Sequence, residues 1–257
     1  MSKKLIFGYG LISYLIFLGV FLYTIGFVGN LVVPKSIDWG TTGPLWQAIL
    51  VDVLLLGLFA LQHSGMARPA FKRWWTRIIP KPMERSTYVL LASLTLALIF
   101  WQWRPLPAVI WTVELQWARW LLWGLYGLGW LMVLVSAQLI SSGHLFGLQQ
   151  VREHLRGHKP SSPKFQAPAF YRYVRHPLML GFLIAFWATP QMTVGHLLFS
   201  IGMTGYILIG LQFEERDLIR RFGKRYQQYK ARVPMLIPRL TGQTSQPRPV
   251  EPEQSSP

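Results

Sequence analysis

Five long apolar runs fix what this chain can fold into: Leu5–Val33, Leu45–Gln62, Tyr88–Trp103, Trp117–Ile140 and Leu178–Phe213. A bilayer core about 30 Å thick takes roughly 20 apolar helical residues to cross. The first and fourth runs meet that length, and the second and third reach it by borrowing flanking residues. The fifth is too long for one crossing and is broken at Thr189-Pro190, with Gly195 just beyond. It predicts a helical hairpin with a short arm, Leu178–Trp187, and a full arm, Val194–Phe213. Lipid tolerates such a break only where neighbouring protein or a cavity satisfies the freed backbone groups.

The basic residues sort with these spans. If the spans alternate in direction, 23 of the 26 Lys and Arg fall on one side: before the first run, in the loops His63–Thr87 and Ser141–Pro177, and after Phe213. The opposite side keeps Lys35, Arg104 and Arg119. A nucleic-acid binder with the same net charge of +16 would not sort its cations by hydrophobic span. Only 14% of residues are charged, against about 25% in soluble domains, which argues against a soluble enzyme. The absence of cysteine excludes disulfides and thiolate nucleophiles. The expected fold is an all-α, polytopic transmembrane helix bundle of four spans plus a C-terminal helical hairpin. By the positive-inside rule both termini are cytoplasmic. Residues 1–240 form the membrane domain, and 241–257, rich in Pro, Ser and Gln, form a disordered polar tail. The first run exceeds a signal-peptide core and lacks a small-residue cleavage site, so it is expected to stay in the mature chain.

The densest polar motifs lie between Phe170 and Pro238. Tyr173-Val174-Arg175-His176-Pro177 precedes the hairpin, Glu214-Glu215 follows it, and Tyr226-Gln227-Gln228-Tyr229 and Val233-Pro234-Met235 come after. Pro177 suits the first helical position, where its missing N–H costs nothing. The free N–H groups behind it, beside Arg175 and His176, would suit a carboxylate. Gly181, one turn in, would let a ligand or another helix approach the backbone. The plain alternative is that Arg175 and His176 are interfacial anchors and Pro177 merely starts a span. Glu214 and Glu215 also have two readings. Either the helix continues as a surface segment with Glu215 reaching Arg216 and Arg220, or one carboxylate receives hydrogen bonds from a ligand. Asp52, inside a span, is a functional candidate by position, or a structural group facing Tyr14 or Tyr23.

Arg-His-Pro, the short hairpin, Glu-Glu and the Tyr-x-x-Tyr-basic tail resemble the isoprenylcysteine carboxyl methyltransferase-like superfamily of membrane enzymes that use S-adenosyl-L-methionine. One branch is closer. Gln62-His63-Ser64, Met66-Ala67-Arg68-Pro69, Glu84-Arg85-Ser86-Thr87-Tyr88, Phe146-Gly147-Leu148 and Ala188-Thr189-Pro190 are similar to motifs of the methanethiol S-methyltransferase family. The likeness runs from about Phe7 to Pro238. It implies methyl transfer to a small thiol, giving a thioether such as dimethyl sulfide, at the cytoplasmic face of a bacterial inner membrane. It also implies a cofactor held among Tyr173, Arg175, His176, Pro177, Gly181, Glu214 and Glu215, in a hollow joining the Pro177 helix to the two acids. Two departures stand out. Met179 replaces an expected Tyr, and Ser141-Ser142-Gly143-His144 with Gln149-Gln150 replaces the branch's Asn-His-aromatic-acidic run and Arg-Gln.

The thiol must lose a proton to become a nucleophile. His144 and His176 are the candidate bases, with His63 behind them; His63, Gln149 and Gln150 are candidate substrate contacts. No spacing suggests a metal, and neither nucleic acid nor an obligate protein partner is implied. The competing expectations are a methyltransferase for a lipid, an isoprenoid carboxylate or an amine, and a non-catalytic transporter or assembly factor. A transporter would carry paired polar groups near the midplane, and only Asp52 is available there.

Overall fold

The computed structural model describes residues 2–140, 142–158 and 165–238, apart from the side chains of Ser142 and His144. The proposed polar tail, 241–257, lies outside the described residues, as does Ser141. Among the described residues, five helices have the length and apolarity to cross a bilayer: α1 (Lys3–Gly29), α2 (Leu45–Ala67), α4 (Glu84–Gln102), α5 (Gln116–Leu139) and α9 (Val194–Phe222). Short elements join them: α3 (Pro69–Trp75), β1 (Val109–Thr112), α6 (Ser142–Leu145), α7 (Leu148–Arg156), α8 (Pro177–Trp187), β2 (Gln191–Thr193) and α10 (Lys224–Arg232). The second and third spans do borrow flanking residues, reaching 23 and 19 residues. Large aliphatics such as Leu61, Leu131 and Ile209 face outward from the spans, as lipid requires.

Local sequence sets the helix ends. The Ser2 hydroxyl accepts from the Leu5 amide at the start of α1, and Asn30, left-handed at φ 54°, closes it. Pro69 and Pro177 open α3 and α8. Thr193 caps α9 by accepting from the His196 amide at 3.1 Å. Between the spans lies an aromatic core that includes Phe27, Phe100, Trp103, Trp130, Phe186 and Phe199.

The hairpin forms as its sequence break predicts. Helix α8, 11 residues long, covers about 16 Å, half the bilayer core. Its abrupt end exposes carbonyls that the structure answers individually. The Phe186 carbonyl lies 2.9 Å from His196 Nε2 and accepts from Ser200 Oγ at 2.8 Å. Beyond it the chain pairs with the segment before α5: β1 and β2 run antiparallel, Val113 N donates to Pro190 O, and Val194 N donates to Ala108 O.

Helix α8 packs along α5 backbone to backbone. A Cβ on Gly181 would lie 2.7 Å from the Gly129 carbonyl oxygen, and one on Gly129 would lie 2.8 Å from the Ala185 amide. Small residues spaced for close helix approach do this commonly in membranes. Of the two uses expected for Gly181, the structure shows the close approach of a neighbouring helix.

On the side opposite the basic loops, a polar knot ties the hairpin to the loop after α1. Asp38 accepts from Asn30 Nδ2 at 2.7 Å and from Thr193 Oγ1 at 2.5 Å. Asp52 is fully buried and accepts from the Arg104 amide at 2.9 Å. Its neighbours are not the expected tyrosines: Tyr23 donates instead to Lys35 O, and Tyr14 packs against Phe17 and Phe146.

Candidate active site at the basic end of the bundle

Where α8 begins and α9 leaves its apolar stretch, charges converge. Arg175 lies just before α8. Its Nε and Nη2 each stand 2.6 Å from Glu215 Oε1, and Lys230 Nζ lies 2.7 Å from Glu215 Oε2. The ring of His176 is buried, with Nε2 3.3 Å from Glu215 Oε1 and Nδ1 3.7 Å from Glu214 Oε2. Glu215 therefore faces Arg175, His176 and Lys230 rather than the expected Arg216 and Arg220. Consecutive residues on a helix diverge by about 100°. Glu215 consequently turns into the protein while Glu214, its side chain 49% exposed, turns toward the outside of the ion cluster.

The tail after α9 closes this cluster. Gly223, at φ 56° and ψ −132°, adopts a backbone that residues with a side chain avoid, so α10 can turn back. The Arg175 guanidinium then donates to Val233 O at 2.6 Å and Lys230 O at 3.0 Å. The Arg175 and His176 amides donate to Pro234 O and Met235 O. The Val-Pro-Met motif is thus a clasp on Arg-His-Pro. Tyr229 donates to Tyr171 O at 2.6 Å, and Tyr226 is buried beside Phe165 with its hydroxyl lacking a partner. Burial first, then the charge of Glu214 and nearby Tyr229, push the Tyr171 phenol above its ordinary value.

A second cluster lies at the same end, on α2, α4 and α9. His63 Nε2 is 2.8 Å from Tyr88 Oη, and its ring stacks on Phe59 and meets Tyr206 edge-on. Its Nδ1 and Gln62 Oε1 are buried without partners. Tyr88 and Tyr206 both lie within electrostatic reach of Glu214. The Arg68 guanidinium sits 4.7 Å over the Phe213 ring and 3.7 Å from Asp217.

The structure thus brings Arg175, His176, Pro177, Glu214 and Glu215 together, with His63 on an adjoining wall. Tyr173 is near in sequence but largely exposed. Gln149 stands elsewhere, donating to Glu153 at 2.9 Å beside a hollow of about 260 Å³ under Phe7 and Leu11. Gln150 shares its helix, α7. The His144 side chain lies outside the described residues. Between the Pro177 helix and the two acids stand the Arg175–His176 pair and the tail clasping it. Neither that hollow nor the one of about 380 Å³ between α1 and α4 is lined by either acid. Lys230 is the participant that sequence reasoning missed. The only signal for it is the basic residue following Tyr229 in the tail motif.

A family model described as NnrU protein matches residues 51–241. The chain is 56% identical over 247 residues to methanethiol S-methyltransferase 2 of Bradyrhizobium diazoefficiens, covering 94% of this chain and 95% of the relative. It is 56% identical over 238 residues to methanethiol S-methyltransferase of Mycobacterium tuberculosis, covering 93% and 98%. It is also similar to nurim of Sus scrofa, 32% identical over 184 residues, covering 67% and 70%. No solved structure matches the chain.

Proposed function

Because the chain belongs to the methanethiol S-methyltransferase family and carries the NnrU family pattern over most of its length, we propose that it transfers a methyl group from S-adenosyl-L-methionine to methanethiol, yielding dimethyl sulfide. The observation that carries the site assignment is the half-exposed Glu214 carboxylate 3.7 Å from the buried His176, next to a fully ion-paired Glu215.

The residues at this end fit such a donor. Its hydroxyls and ammonium call for an acid, and Glu214 is the carboxylate left outside the ion cluster. The partnerless Tyr226 hydroxyl and the unpaired polar atoms of Gln62 and His63 are further groups that a polar ligand would satisfy. Tyr173, exposed beside Arg175, offers a ring for an adenine to stack on. When bound, S-adenosyl-L-methionine supplies a methyl group on a cationic sulfur, which a thiolate takes by direct displacement.

The chain's own part is to hold the donor and to free the thiol's proton. Arg175 and Lys230 fix Glu215, which in turn orients the His176 ring through Nε2. That leaves Nδ1, on the Glu214 side, as the nitrogen able to accept the thiol proton. A carboxylate orienting an imidazole so that its far nitrogen serves as base is a recurrent arrangement. The His63–Tyr88 pair and Tyr206 form the aromatic wall assigned to the substrate. The site shares its side with most of the chain's Lys and Arg, so the positive-inside rule supports a cytoplasmic active site in a bacterial inner membrane.

The direct test supplies purified protein with methyl-labelled S-adenosyl-L-methionine and methanethiol, and measures labelled dimethyl sulfide in the headspace. Volatile label is expected. Label appearing only in a lipid fraction, or no transfer at all, overturns the proposal.

A further inference from the structure

The lipid-facing surface holds a groove that the reaction does not use. It lies between α1 and α4, near the ends remote from the candidate site. Gly19, Val20 and Tyr23 line one wall, and Ala97, Phe100 and Trp101 the other, enclosing about 380 Å³. Gly19 has no atom within 4 Å of where a Cβ would stand, so the groove is open along α1. Its floor is firm, since the Tyr23 and Phe100 rings stack at 5.2 Å.

Lys35 stands at the groove's mouth. Its Nζ donates to the Trp101 carbonyl, one of the unpaired carbonyls ending α4. An ammonium has three donors, so two remain for another acceptor. Burial first, and then the nearby Arg104 guanidinium, lower the Lys35 pKa, only partly offset by Asp52. Asp52 is fully buried and already hydrogen-bonded to the Arg104 amide. Only three Lys or Arg fall on this side of the chain, and one of them, Lys35, lines this groove. An apolar slot opening to the bilayer beneath a lysine complements an acyl chain carrying an anionic headgroup.

We propose that this groove is a binding site for one anionic phospholipid, with an acyl chain lying along Gly19 and Ala97 and the headgroup phosphate on Lys35. The site is independent of the reaction assigned to the opposite end.

The test is native mass spectrometry of the full chain released from nanodiscs of equal phosphatidylglycerol and phosphatidylcholine. The wild-type chain should retain phosphatidylglycerol in preference to phosphatidylcholine. Lys35→Gln should cut that preference about fivefold, the worth of one lysine against an anionic headgroup. Gly19→Phe, which fills open space, should reduce retention of both lipids. An unchanged preference in Lys35→Gln overturns the proposal, as does wild-type retention in Gly19→Phe. A dimer mass that Gly19→Phe abolishes would show a second copy covering the groove, and would overturn it too. Should Lys35→Gln fail to fold, Gly19→Phe decides alone.

Discussion

The two ends of the bundle use their polar side chains on different partners. At the end away from the basic loops, His196, Ser200 and Asp52 are bonded to the backbone, and Thr193 serves both the α9 backbone and Asp38, which also pairs with Asn30. Those of Thr193, His196 and Ser200 repair a hairpin too short to satisfy itself inside a membrane. At the basic end Arg175 also donates to the tail backbone, but the side chains run on into one another: Arg175 and Lys230 to Glu215, Glu215 to His176, and His176 toward Glu214. That series of charges ends on a carboxylate half open to its surroundings. Most of the remote contacts end on backbone groups, whereas the series at the basic end stops at an accessible acid, the group proposed above to meet a ligand.

The sharpest break in this comparison is Glu215→Ala. It leaves Arg175 buried without its counter-charge, which typically costs about 3–5 kcal/mol. A large fall in the thermal midpoint of the detergent-solubilised protein, together with lost S-adenosylhomocysteine binding, is expected; a midpoint within a degree of wild type would show the cluster to be ornamental. Next comes Thr193→Val, which removes the hydroxyl shared by Asp38 and the α9 cap at the opposite end. A loss of about 1.5–3 kcal/mol fits one hydrogen bond to a charged acceptor, with S-adenosylhomocysteine affinity intact. Altered affinity would mean that the two ends are coupled.

Glu214→Gln separates binding from stability at the basic end. Its carboxylate makes no short ion pair, so the thermal midpoint should hold. Affinity for S-adenosylhomocysteine should fall about tenfold, equivalent to 1.4 kcal/mol. Calorimetry on the two proteins reads this directly, and equal affinities would discard Glu214 as a ligand. The smallest effect belongs to Arg68→Gln. Its 3.7 Å pair with Asp217 is partly exposed on both sides, and such pairs contribute about 0.5 kcal/mol or less. A drop in product formation without a change in stability would move Arg68 from the surface into the site.

Much of this architecture was legible from residue order. The Thr189-Pro190 interruption announced the hairpin, the apolar runs announced the spans, and the sorting of Lys and Arg put the Arg-His-Pro and Glu-Glu motifs at one end. Other features were not. Glu214 and Glu215 are neighbours in sequence, and only packing around α9 decides which one turns inward. Lys230 reaches Glu215 because Gly223 folds α10 back, a contact across 15 positions that no helical spacing encodes. Gly181 could have served a ligand or a helix, and α5 claims it.

Sequence by itself determined that the chain is a membrane helix bundle, where its hairpin breaks, and which end collects its charges. Those properties follow from local apolarity, proline chemistry and the cost of placing cations in lipid. Tertiary structure decided which acid is buried and which is left half open, and that the tail clasps Arg175 and His176. These depend on helix rotation and on chain segments distant in order meeting in space, and local propensity carries no information about either.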